Sequence, residues 1–94
     1  DHGEMLGDNG IYTKGAHLYD PALRVPLIMN WPTKIPANRQ IHGLVEFTDL
    51  APALLEAANL PASPGMQGRS LWPLATGKTE ATREEIYVEA HNVH

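Results

Sequence analysis

Ninety-four residues, 43% hydrophobic and 19% charged, suit one small domain and do not have the composition of a disordered chain. A formal charge of -4 and the lack of any Lys/Arg cluster argue against a nucleic-acid surface, and no apolar run reaches the roughly 18 residues of a membrane span. With no cysteine, disulfides and thiolate metal sites are excluded, while the compartment stays open.

The chain starts on Asp1 without an initiator Met, inside what reads as a motif, so a fragment of a longer protein is expected. Residues 1–24 hold Gly3, Gly7, Gly10 and Gly15 and read as an extended loop, with one turn of helix near residues 17–23. Loops this long are uncommon unless they serve a function. Residues 25–31 (VPLIMNW) form an unbroken apolar run whose pattern predicts a strand buried on both faces, as in a parallel sheet. Pro26 falls near its start, where a missing N–H is tolerable. Residues 33–43 (TKIPANRQIHG) carry turn chemistry, and residues 44–47 (LVEF) a brief extended piece.

The clearest helix lies in residues 49–58, within TDLAPALLEAANL. Thr48 or Asp49 can cap it, Pro52 falls in the first turn, and Asn59 with Pro61 ends it. Leu50, Leu54 and Ala58, with Ala51 and Leu55 beside them, predict its apolar face. Residues 69–77 (RSLWPLATG) read as a short helical turn and residues 83–91 (REEIYVEAH) as a second strand. So few elements make a thin core, and the pattern predicts part of a larger α/β sheet protein.

Two similar turns at the start raise the question of chemistry. Asp1-His2-Gly3 offers a carboxylate and an imidazole, which suit a divalent metal, but a capped turn uses the same residues. Neighbouring residues on a strand point to opposite faces, so Asp1 and His2 can meet one ion only where a strand has just ended, at a sharp turn of the kind Gly3 permits. Asp8-Asn9-Gly10 reads first as a common turn. Lys14 beside Gly15 can place an ammonium on an anion or simply face water, and His17 reads as a surface or packing histidine. Asp20 and Arg24, four apart, can pair on a helical turn.

The stretch DHGEMLGDNGIYTKGAHLYDPALRVPLIMNWPTKIP resembles the sulfatase family of the alkaline-phosphatase-like superfamily. The shared features, in order, are Asp-His-Gly, a Lys, then an acidic residue and Arg-Val-Pro before a strand ending in Trp-Pro. The likeness continues through FTDLAPALLEAANLP, MQGRSLWPLATG and REEIYVEAH, and so covers essentially the whole chain. It implies an α/β fold, the C-terminal part of a catalytic domain with a mostly parallel sheet flanked by helices. Residues 1–24 would be the active-site loop and residues 25–94 strand, helix and strand elements.

The resemblance aligns Asp1 and His2 with the family's metal-binding pair and leaves Asp8 and Asn9 as a turn. It matches Lys14 to the lysine that contacts the sulfate ester, and places His17 near enough to reach the leaving group. It implies one divalent ion, Ca²⁺ first, with Mn²⁺, Mg²⁺ and Zn²⁺ also compatible with a His nitrogen. It also implies a formylglycine nucleophile made from Cys or Ser in a Cys/Ser-x-Pro-x-Arg motif. That motif is absent here, since Ser63-Pro64 and Ser70 do not fit it, and so are the family's N-terminal acidic ligands. The expectation is a sulfate-ester hydrolase when joined to the rest of the sulfatase domain, and an inactive chain alone. Two other readings stay open: a phosphonate monoester or phosphodiester hydrolase of the same superfamily, and a noncatalytic remnant whose open strand edges promote homo-oligomers.

Overall fold

The computed structural model describes residues 2–91. These residues form two compact units, residues 2–28 with 87–91, and Met29–Ile86. Three short helices are present: α1 (Asp20–Leu23), α2 (Leu50–Ala57) and α3 (Trp72–Thr76). Two 3-10 turns, Asp8–Gly10 and Phe47–Asp49, complete the regular structure.

The expected mostly parallel sheet is not there, because no strand occurs among the described residues. Residues 25–31 and 83–91, both read as strands, run without a ladder. Within the apolar run Leu27 is half exposed and Ile28 is 89% exposed. The physical reason is that an apolar run reports what a segment has to bury, not which backbone it pairs with. A strand exists only where a neighbour offers its N–H and C=O groups.

In the Met29–Ile86 unit the core is small. Ala53 of α2 packs with Leu71, Leu74 and Ala75 in and beside α3, and Met29, Ile35, Val45, Leu50 and Trp72 close around them. Trp31 lies against Trp72 with ring centroids 5.7 Å apart and planes tilted by 55°, a favourable aromatic geometry. The helix at residues 49–58 forms almost as expected, but its buried face is turned. Pro52 and Ala53 are buried and Leu54, expected inside, is 64% exposed. Asn59 ends α2 in the left-handed region (φ 56°), and Leu60 N–H donates to Leu55 O at 2.8 Å.

One charged network ties this unit together. Asp49, fully buried, accepts from Glu46 N–H at 2.9 Å and from Arg69 N–H at 2.7 Å. Arg83 reaches the same carboxylate with both Nε (3.1 Å) and Nη2, and with Nη1 it donates to Glu46 Oε1 at 2.8 Å. The chain crossing beneath it is tight: a Cβ on Gly68 would stand 1.8 Å from Thr48 O.

Two stability predictions follow from this packing. Replacing Arg83 by Met leaves the Asp49 carboxylate buried without its counter-charge and costs about 3–5 kcal/mol. Equilibrium urea unfolding checks this, and a loss below about 1 kcal/mol would remove the network from its central place. Gly68→Ala forces Thr48 and residue 68 apart and costs about 3 kcal/mol, the upper end of overpacking. Gly10→Ala, with open space around it, is the control and costs only about 1–2 kcal/mol for its positive φ of 74°.

Candidate active-site loop

The loop of residues 2–24 is built on backbone contacts. Gly3 N–H donates to Ala22 O at 2.8 Å, and a Cβ on Gly3 would stand 1.8 Å from Pro21 O. Gly3 is therefore required for a close approach to α1, and not for the sharp turn that its sequence position suggested. Met5, 1% exposed, anchors the next residue but one. From there the chain doubles back. Leu6 N–H bonds to Tyr12 O (3.2 Å) and Gly7 N–H to Ile11 O (2.9 Å), with Leu6, Gly7, Asn9 and Gly10 at positive φ. Asp8 and Asn9 sit exposed at the tip of this turn, as a turn reading of Asp-Asn-Gly expects.

The sequence candidates fall in this same unit. Lys14 Nζ lies 3.3 Å from Glu4 Oε2, an ion pair joining the start of the loop to its middle. The other oxygen, Glu4 Oε1, is buried with no hydrogen-bond partner. His17 is partly buried and folds back on the chain, so that a Cβ on Gly15 would lie 3.4 Å from His17 Nε2. Asp20 and Arg24 do pair across α1 at 3.3 Å, but both are well exposed and the pair contributes little.

His2 is exposed, and its Nδ1 donates to Gly3 O at 2.9 Å. A hydrogen bond from one ring nitrogen to a backbone carbonyl is of the kind that orients metal-ligating histidines. Asp1, the other expected metal ligand, lies outside the described residues. Among the described residues no group of three or more His, Cys, Asp or Glu side chains gathers to hold a metal. The donor chemistry at His2 fits a contribution to a metal shell, and the described residues do not make a whole shell.

Two features were not flagged in the sequence. Glu4 is ten residues from Lys14, a separation with no periodicity to reveal it. Asp49 has the sequence pattern of a helix cap, and nothing in the spacing of Glu46 and Arg83 points to their pairing with it. The Met29–Ile86 unit also has a cleft of about 550 Å³ lined in part by Arg39, His42, Glu80 and Arg83. Its cations are already engaged: Arg83 with Asp49 and Glu46, and Arg39 with Leu74 O at 3.3 Å.

The profile of the family described as "N-sulphoglucosamine sulphohydrolase, C-terminal" matches residues 7–94. Steryl-sulfatase from Homo sapiens is 35% identical over 91 residues, which is 94% of this chain and 16% of that protein. Arylsulfatase K from Rattus norvegicus is 36% identical over 76 residues, 81% of this chain and 13% of that protein. An extracellular sulfatase homolog from Drosophila melanogaster is 32% identical over 84 residues, 89% of this chain and 8% of that protein. No solved structure matches the chain. This chain thus spans less than a fifth of the length of each of these relatives, and with a profile match running from residue 7 to residue 94 it belongs to the sulfatase family, where it corresponds to the C-terminal region.

Proposed function

We propose that these 94 residues form the C-terminal part of the catalytic domain of a metal-dependent sulfatase that hydrolyses sulfate esters. The observation that carries this reading is the family match over residues 7–94, with Lys14 inside the matched span. In this reading residues 1–24 form the active-site loop, and Asp1 and His2 supply part of the shell of one divalent ion, Ca²⁺ foremost. That ion, when bound, would polarise the sulfuryl oxygens. The formylglycine nucleophile would come from a segment outside this chain.

The chain's own residues would act on the anion. Lys14 sets an ammonium against the sulfuryl oxygens, where negative charge has to be offset throughout the reaction. His17, three residues on, would hold a proton for the departing alcohol oxygen. His2, oriented through its Nδ1 bond to Gly3 O, would be the imidazole of the metal pair.

Three outcomes test the reading. The isolated chain is expected to show no turnover of an aryl sulfate above background, because one Lys and two metal ligands do not assemble a site. Measurable turnover would overturn that. In the full-length protein, Lys14→Met is expected to lower kcat/KM for an aryl sulfate about 100-fold, the cost typical of losing one group that stabilises developing charge. The same enzyme should turn over the aryl sulfate faster than the matching aryl phosphonate, and the opposite order would reassign it to phosphonate hydrolysis.

A further inference from the structure

We infer that Glu4 is the positioning residue for Lys14. It would hold the ammonium in the place where a sulfate oxygen meets it, and the inference rests on the reading of Lys14 as the anion contact. A lysine is a point charge on a flexible four-carbon stem, and a loop position by itself does not aim it. Glu4 can aim it because its own backbone is fixed on both sides. Gly3 N–H is bonded to Ala22 O at 2.8 Å, with no room for any side chain at residue 3, and Met5 is buried. From that fixed point Glu4 Oε2 reaches Lys14 Nζ at 3.3 Å.

The second observation concerns the other carboxylate oxygen. Glu4 Oε1 is buried and has no hydrogen-bond partner, so Lys14 is the one partner of this carboxylate among the described residues. The Glu4 side chain is 34% exposed, and burying one of its oxygens without a partner costs free energy compared with leaving it in water. That cost is offset if the restrained lysine is worth more than the lost hydrogen bond. Because Glu4 lies two residues after His2 on the same stretch, one short segment would place both the anion contact and the metal ligand. A misplacement of about 1 Å at such a contact is enough to lose up to about 100-fold in rate.

A double-mutant cycle in the full-length protein tests this, using Glu4→Gln, which keeps the side chain's size, together with Lys14→Met. The readouts are kcat and KM for an aryl sulfate and the Kd of inorganic sulfate by calorimetry. Glu4→Gln alone is expected to lower kcat/KM roughly 10-fold and to weaken sulfate binding by a similar factor. In the Lys14→Met background it should change neither by more than about 2-fold, because its effect runs through the lysine. A further 10-fold loss in that background makes Glu4 a structural residue and overturns the proposal, as does a Glu4→Gln enzyme with unchanged kcat/KM. Tighter sulfate binding in Glu4→Gln would make Glu4 a competitor for the ammonium and overturn it too. If Lys14→Met itself leaves kcat/KM intact, the assignment of Lys14 fails first and this inference fails with it. Glu4→Asp serves as the second variant should Glu4→Gln fold poorly: it keeps the charge but shortens the reach, and should recover sulfate binding only in part.

Discussion

A single buried carboxylate organises the larger unit. Asp49 has no solvent exposure, yet it carries a negative charge into a unit whose core is a small apolar cluster of alanines and leucines with Met29, Ile35, Val45 and Trp72 around it. Such a charge is tolerable only when its lone pairs are filled, and here four donors fill them: two backbone N–H groups and two from one guanidinium. The donors come from residues 46, 69 and 83, so the network joins three stretches that no hydrogen-bonded ladder connects. It takes the place that strand pairing would otherwise fill. Gly68 is part of the same constraint, since only a residue without Cβ lets the chain at 68 pass against Thr48 O while Arg69 N–H points at Asp49.

The first loop is organised by different means. Its backbone is folded on itself by hydrogen bonds, Gly3 to Ala22 and Leu6 to Tyr12 among them, and Met5 supplies its buried anchor. Polar side chains are therefore not needed to hold the turn; the backbone sets where Lys14, His17 and His2 start, and Glu4 pairs with Lys14 Nζ. A loop of this kind, with side chains of chemical interest on a backbone fixed by its own contacts, is where binding residues are commonly carried.

Membership of the sulfatase family gives the unusual exposure a context. The chain matches 16% of steryl-sulfatase and 13% of arylsulfatase K, and Ile28, Leu54 and Tyr12 are well exposed. The absence of strands among the described residues corrects the sheet expected from the apolar pattern of residues 25–31, while the family assignment rests on the sequence match over residues 7–94.

What the sequence determined by itself was local or cumulative. The helix around residues 50–57, its end at Asn59, the helical turn before Gly77 and the Asp-Asn-Gly turn all follow from neighbours a few residues apart, whose propensities act within one turn of chain. The family was legible because many short features recur in order along the chain, none of them specific alone. What only the tertiary structure decided depended on distant partners. On α2, Leu50 packs against the core as its spacing expects, while Leu54 and Ala58 are exposed and what Ala53 meets in α3 set the rest of the inward face. Pairing of Glu4 with Lys14, and of Asp49 with Arg83, joins residues 10 and 34 apart, separations that carry no periodic signal. Charges of opposite sign are abundant in any sequence, and only the path of the backbone selects which two will meet.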